Sequence, residues 1–317
     1  MQTRPASSAA QLLFVSDFDD PATWRAELER AAPDLEVRVW PGAEGLEDFE
    51  FALVWKPPRG LLSTLPRLKA VFSLGAGVDY LLRDPTLPDV PVVRMIEPAL
   101  TQGMVEYVVL HVLSCHRRSL DYEAQQRARL FRPLPQKLAT DRRVGVLGLG
   151  ALGSPAARAL AQLQFDVRGW SRSLKDIPGV RCFSGADGLP RLLQDLEILI
   201  CMLPLTNDTA GILNRRTFAP LAEGAYIINA ARGEHLVARD LLLGLDEGRL
   251  SGATLDVFVD EPLPAEHPFW THPRIVVTPH VASNIDVRTA AAAVAANIRR
   301  LREGSPLIGA LDRVLGY

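Results

Sequence analysis

The stretch 143–163, RVGVLGLGALGSPAARALAQL, constrains the fold more than any other part of this 317-residue chain. An apolar strand runs into Gly148, Gly150 and Gly153 at G-x-G-x-x-G spacing, a helix opens behind them, and a second strand, DVRGWS, follows. Three glycines alone carry little weight. Between a strand and a helix that leads to another strand, they mark a dinucleotide-binding turn. Gly148 permits the tight turn, Gly150 lets the backbone approach a pyrophosphate, and Gly153 lets helix and strand pack closely. The unpaired N–H groups and dipole of the helix N-terminus then favour an anion, and Pro155 in the first turn costs no internal hydrogen bond.

Where an NAD site ends its second strand with Asp or Glu to bind the ribose 2′-hydroxyl, this chain has Ser171, followed by Arg172 and Ser173 with Lys175 nearby. A carboxylate there would repel a 2′-phosphate, whereas hydroxyls and cations receive one. The sequence therefore predicts NADPH as the preferred cofactor, ahead of NADH.

Short apolar runs alternate with amphipathic ones from end to end, the pattern of an α/β protein with mostly parallel sheets. Strands are expected at 11–16, 36–40, 51–55, 70–74 and 91–95, then at 143–147, 165–171, 198–203, 225–230, 254–258 and 274–279. A helix at 22–32 carries Trp24 and Leu28 on one face. The longest helical stretch, 101–130, has Met104, Tyr107, Val108, His111, Val112 and Cys115 on one stripe and reads as a connecting helix and a dimer contact. The proline-containing segment 132–141 reads as a linker. An alanine-rich helix over 285–302 and the short tail behind it are too small to stand alone, so they should rejoin the first hundred residues. The expected architecture is two doubly wound parallel-sheet domains. Residues 1–100 and 284–317 form a flavodoxin-like substrate-binding domain, and a Rossmann dinucleotide-binding domain, 101–283 with its connecting helix 101–130, is inserted within it. Substrate loops and cofactor site in different halves of the chain suggest a cleft that closes over the substrate.

In an open parallel sheet, ligands bind beyond the carboxyl ends of the strands. AYIINAARG delivers Arg232 there, GATLDVF delivers Asp256 and RIVVTPH delivers His280, evenly spaced along the chain; Glu261 follows on the proline-stiffened DEPLP loop. Reducing a ketone requires a proton on oxygen as well as a hydride on carbon, and a histidine, with its pKa near ~6.5, can give that proton at neutral pH. His280 is the candidate donor, and Glu261 the carboxylate that orients its ring and stabilises its protonated form. The forked guanidinium of Arg232 matches a substrate carboxylate and can polarise the adjacent carbonyl.

The remaining composition narrows the partners. With 35 basic against 37 acidic residues the net charge is -2, which offers no electrostatic case for nucleic acid or an anionic membrane. Cys115, Cys182 and Cys201 lie far apart without a CxxC pair, so free buried thiols are expected rather than disulfides. His111 and His116, like His267 and His272, lack metal-ligand spacing, and no metal is expected. His235 reads as solvated. The apolar run before Ser16 is too short for a signal peptide, and no stretch approaches a membrane span, which points to a cytoplasmic protein.

These features resemble the D-isomer-specific 2-hydroxyacid dehydrogenases, and most of all their glyoxylate/hydroxypyruvate reductase A group. The resemblance runs through VWKPP (54–58), LKAVFSLGAGVDYLL (68–82), GMVEYVVLHVL, LGLGALGS, GWSRS, MLPLTNDTAGILN, GAYIINAARG, LDVFVDEPLP, HPFWTHPRIVVTPHVAS and the terminal LDRVLGY. It implies a catalytic Arg, Glu and His at Arg232, Glu261 and His280, and receipt of the substrate carboxylate by the N–H groups of Ala76 and Gly77. Ala151, Leu152, Leu203, Pro204, Thr209, Ala230 and Asp256 would line the cofactor, with Asp256 meeting the nicotinamide carboxamide. Trp55, Lys56 and Met104 would face the substrate or nicotinamide. It further implies a homodimer. Ser171 departs from the acid of NAD-dependent members, and IEPALTQG, ahead of Met104, departs from the group's usual polar run. The function implied is NADPH-dependent reduction of glyoxylate or hydroxypyruvate. The alternatives are a reductase of a bulkier 2-keto acid and a non-catalytic dinucleotide sensor.

Overall fold

The computed structural model describes residues 9–313, 315 and 316; the first eight residues, and Val314 and Tyr317 of the closing LDRVLGY, lie outside the described residues. Along the chain run β1 (Ala10–Val15), α1 (Pro21–Ala31), β2 (Leu35–Val39), β3 (Phe49–Val54), β4 (Ala70–Ser73), α2 (Asp79–Leu82), β5 (Val92–Val93), α3 (Pro98–His116) and α4 (Ser119–Arg127). Next come β6 (Arg143–Leu147), α5 (Gly153–Gln162), β7 (Asp166–Ser171), β8 (Val180–Ser184), α6 (Gly185–Leu193), β9 (Ile198–Cys201) and α7 (Arg215–Phe218). The series closes with β10 (Ala225–Asn229), α8 (Ala238–Asp246), β11 (Leu250–Leu255), β12 (Ile275–Val277) and α9 (Val287–Arg302). They fall into two compact units, Met1–Leu100 with Ile285–Tyr317, and Thr101–Asn284.

In the first unit, five parallel strands stand in the order β2-β1-β3-β4-β5. This is the flavodoxin-like order, with its topological switch between β1 and β3. Helix α1 starts where Asp20 accepts the N–H groups of Ala22 and Thr23 and Pro21 supplies a preset φ. One turn apart on its inner face, Trp24 and Leu28 are buried, each worth about 1.5–3 kcal/mol of transfer free energy. They share a core with Phe14, Leu53 and Phe72 and with Ala290, Ala291, Val294 and Ile298 of α9. The alanines of α9 pack into this core, and the tail follows: Leu311 N–H donates to the Val92 carbonyl at 2.8 Å, and Arg302 pairs with Asp34 at 2.5 Å.

The second unit is a seven-stranded parallel sheet, β12-β11-β10-β9-β6-β7-β8. Renumbered within the unit this is the Rossmann order 3-2-1-4-5-6 with one further strand, and its switch lies between β6 and β9. Val144, Val146, Ile198, Ile200 and Ile228 form a core with α5 and with Met104, Tyr107, Val108 and Val112 of α3. The other face carries Leu199, Ile227, Leu255 and the buried side chains of α8.

The expected helix over 101–130 is two helices. It starts earlier, at Pro98, because both carboxylate oxygens of buried Glu97 accept first-turn N–H groups, from Ala99 at 2.7 Å and Leu100 at 2.6 Å. That gives the divergent IEPALTQG segment a capping role. It breaks at Arg118, which lies in the left-handed region at φ 61°. The buried stripe of α3 runs out at His116 and α4 buries no residue, so packing does not enforce a continuous helix. Strand β8 was not expected at all: it is a partly exposed edge strand, VRCFS, with no clean alternation for a period-2 reading to find. Among the described residues no helix is long and apolar enough to cross a membrane.

Candidate active site

At the switch point of the second unit, β6 runs into Gly148, whose φ of 101° only glycine adopts without strain. A Cβ at Gly153 would lie 1.8 Å from the Gly148 carbonyl oxygen, so α5 closes on the turn only with glycine there. At Gly150 nothing lies within 4 Å of the Cβ position, and the backbone faces open space. The N–H groups of Ala151, Leu152 and Gly153 make no hydrogen bond among the described residues, although Ser154 bonds back to the Gly150 and Leu149 carbonyls. Unpaired donors at the N-terminus of a ten-residue helix, beside a glycine that leaves room, fit the pyrophosphate of a dinucleotide. At the end of β7, Ser171 donates to the Ser173 carbonyl at 2.8 Å, and this hydroxyl-lined turn with Arg172 holds no acidic side chain. On the other side of β6, Leu203 and Pro204 follow β9; buried Thr209 donates to the Pro204 carbonyl at 2.7 Å and accepts the Thr206 N–H at 2.8 Å.

The parallel register of β10, β11 and β12 pairs Asn229 with Leu255 and Leu255 with Val277. The residues just past these positions, Arg232, Asp256 and His280, therefore emerge side by side at one edge of the sheet. His280 N–H donates to the Asp256 carbonyl at 2.8 Å, and Asp256 N–H to the Asn229 carbonyl at 3.1 Å. The Nδ1 of His280 lies 3.0 and 3.1 Å from the two carboxylate oxygens of Glu261, which also accepts the Phe258 N–H at 3.2 Å. The carboxylate thus takes Nδ1–H and leaves Nε2 for other partners. His280 keeps 35% of its side chain exposed, enough to meet a ligand.

Asp256 is buried, and its carboxylate accepts Thr278 Oγ1 at 2.6 Å and the N–H groups of Val281 and Ala282, each at 2.9 Å. Tyr107 of α3 extends this chain, with its hydroxyl 2.7 Å from Thr278 Oγ1. Asp256, taken from the resemblance as a cofactor contact, thus also holds the loop that presents His280 in the left-handed region, at φ 55°. Ala230 is buried at the end of β10, and Met104 is buried in the core of this unit.

Arg232 Nη1 donates to the Ala231 carbonyl at 2.8 Å. Its backbone is held by two side chains that the sequence reading passed over. Asn229, fully buried, accepts the Ala231 N–H at 3.2 Å and donates to the Arg232 carbonyl at 2.9 Å. His235, read from sequence as solvated, is fully buried, and its Nδ1 accepts the Arg232 N–H at 3.2 Å. No local pattern marks a histidine for burial; the ring is enclosed because the β9 and β10 loops meet around it. Burial pushes its pKa below the usual histidine value.

In the first unit, Trp55 and Lys56 follow β3, beside the switch point with β1. Lys56 takes φ 44° with its ammonium 5.7 Å from the centre of the Trp55 ring, and Tyr80 packs edge-on against that ring at 5.2 Å. After β4, the N–H groups of Ala76 and Gly77 make no hydrogen bond among the described residues. Two adjacent open donors suit a carboxylate. The three cysteines are free, Cys201 buried and Cys115 and Cys182 partly exposed rather than buried as expected; desolvation raises the Cys115 and Cys201 thiols to about 12. Among the described residues no group of three or more His, Cys, Asp or Glu could hold a metal ion.

A family profile described as D-isomer specific 2-hydroxyacid dehydrogenase, NAD binding domain, matches residues 109–282. The chain is 44% identical over 313 residues to a glyoxylate/hydroxypyruvate reductase A of Serratia proteamaculans, covering 96% of this chain and 99% of that one. Its structure is similar, at TM-score 0.94 and 43% identity, to a D-isomer specific 2-hydroxyacid dehydrogenase of Xanthobacter autotrophicus Py2 in complex with NADPH and MES, over 98% of this chain and all of that one. An NADPH-dependent glyoxylate/hydroxypyruvate reductase of Sinorhizobium meliloti, in complex with NADP and sulfate, matches at TM-score 0.92 and 42% identity, over 97% of this chain and 100% of that one.

Proposed function

Because the chain belongs to the D-isomer-specific 2-hydroxyacid dehydrogenase family, and within it to the glyoxylate/hydroxypyruvate reductase A group, we propose that it reduces glyoxylate and hydroxypyruvate to 2-hydroxy acids with NADPH as preferred reductant. The observation that carries the reading is the His280–Glu261 pair at 3.0 Å, set at neighbouring strand ends with Arg232.

The cofactor, when bound, supplies a hydride to the keto carbon. Ala151, Leu152 and Gly153 offer their N–H groups to its pyrophosphate, and Ser171, Arg172 and Ser173 receive the 2′-phosphate. Gly148, Gly150, Leu203, Pro204, Thr209, Ala230 and Asp256 complete its surroundings. Arg232 binds the substrate carboxylate and polarises the carbonyl as charge develops on oxygen. His280 Nε2 gives that oxygen a proton, while Glu261 fixes the ring through Nδ1. In the first unit Ala76 and Gly77 present N–H donors to a carboxylate, with Trp55 and Lys56 shaping substrate preference; in the second unit Met104 faces the substrate or nicotinamide. The proposal extends to a cytoplasmic location and to a homodimer, the latter supported by the exposed apolar side chains Leu110, Leu130, Phe131 and Leu138.

Initial rates with glyoxylate, hydroxypyruvate and pyruvate, each with NADPH and NADH, test the reading. The expected result is highest kcat/KM for glyoxylate or hydroxypyruvate with NADPH. A clear NADH preference removes the cofactor assignment, and no turnover of any keto acid removes the activity.

A further inference from the structure

We infer that His235 is a positioning residue that ties the Arg232 loop to the 203–209 loop, so that one buried imidazole sets the aim of the arginine and the shape of a cofactor-lining segment together. The inference rests on the reductase reading of this site. Nδ1 lies 3.2 Å from both the nitrogen and the carbonyl oxygen of Arg232, but that carbonyl already accepts Asn229 Nδ2 at 2.9 Å and the His235 N–H at 3.2 Å, so the ring hydrogen goes to Nε2, which donates it to the Pro204 carbonyl at 3.3 Å. In the neutral ring Nδ1 is then an acceptor, and it takes the Arg232 N–H at 3.2 Å. Burial, which disfavours the charged ring, keeps it in the state this arrangement requires. The Pro204 carbonyl is shared with Thr209 Oγ1 at 2.7 Å, so the far end of the bridge lies on the residues assigned to the cofactor.

The surroundings leave the bridge little play. The Gly211 N–H donates to the Glu234 carbonyl and the Leu213 N–H to the His235 carbonyl, both at 2.8 Å. A Cβ on Gly233 would come within 2.0 Å of the Phe258 carbonyl carbon and 2.2 Å of the Val259 nitrogen, so the Arg232 loop already abuts the backbone leading to Glu261. Asn229 grips the loop from its other side. The ring thus hydrogen-bonds both to Arg232 and to Pro204.

Three variants separate the two ends. His235→Asn has the reach of Nδ1 and keeps the Arg232 contact; His235→Gln has the reach of Nε2 and keeps the Pro204 contact; His235→Leu keeps neither. NADPH affinity is read by fluorescence titration, without turnover, and glyoxylate KM and kcat by initial rates. His235→Gln should raise glyoxylate KM by about tenfold and leave the NADPH Kd within about twofold. His235→Asn should raise the NADPH Kd by about tenfold with a smaller effect on glyoxylate KM. His235→Leu should show both losses. Variants that lower the melting temperature but leave both constants unchanged would overturn the inference, as would equal changes in His235→Asn and His235→Gln. If the parent protein binds NADPH yet reduces no keto acid, the functional reading fails on its own. The Kd series then decides the bridge: weaker binding in Asn and Leu but not in Gln upholds it, and any other pattern ends it.

Discussion

At the residue scale, chemistry at this site depends on holding polar atoms where a free chain would not hold them. His280 is a non-glycine residue in left-handed backbone, a conformation that costs about 1–3 kcal/mol and persists only when neighbours impose it. Its neighbours do: the backbone of His280 bonds to Asp256, the ring bonds to Glu261, and the two residues that follow donate to the Asp256 carboxylate. A proton donor contributes about 10²–10⁴ in rate. His280→Ala should therefore lower kcat by about that factor while the NADPH Kd stays unchanged, and Glu261→Gln, which keeps size but loses charge, should cost about 10–100-fold. Stopped-flow or steady-state kcat alongside fluorescence titration checks both. Unchanged turnover in His280→Ala would remove the residue from the mechanism.

Elements place these residues by two devices. Parallel register puts the ends of β10, β11 and β12 next to one another, and the reversal of strand order beside β6 opens a place for a ligand above Gly148. The interrupted helix pair matters for assembly. The stripe of α3 is used up in the core, so α4 and the segment behind it turn apolar side chains outward, with Phe131 fully exposed and Leu130 and Leu138 mostly so. If this segment is the homodimer contact, the double variant Leu130→Glu, Phe131→Glu should run at the mass of one chain by light scattering with its circular dichroism unchanged. A parent protein already at that mass would defeat the dimer.

At the scale of the whole molecule, acid stability follows from groups whose proton affinity folding reduces. Burial lowers the pKa of His235 and His111 below 6.5, so the stability each contributes is full above 6.5 and falls as pH drops below it. Carboxylates act with the same sign at lower pH. Asp286, hydrogen-bonded to Arg288 at the start of α9, is held at about 2, and Glu197 is lowered because Lys137, the Arg143 N–H and Arg142 outweigh the effect of its burial. Their contributions are present above the ordinary carboxylate value and disappear as pH falls through the folded one. Thermal melts should show a plateau above about pH 7, a first decline below 6.5 and a second below about 4. A melting temperature that rises on acidification from 7 to 5 would contradict this. How far such a chain can be read in advance depends on the range of the interactions involved. Strand and helix periodicity, the turn chemistry of Gly148, Gly150 and Gly153, and the absence of an acid at Ser171 are local, and the sequence by itself determined two parallel α/β sheets and a dinucleotide turn from them. The placement of Arg232, Glu261 and His280 beyond neighbouring strands was legible because each stands where an apolar strand ends or on the loop that follows. Tertiary structure alone decided that α3 stops at His116, that VRCFS pairs at a sheet edge, that Glu97 caps a helix and that His235 lies buried between two loops. Those outcomes depend on which distant segments meet and what remains to be buried when they do, and neither is encoded in the spacing of neighbours along the chain.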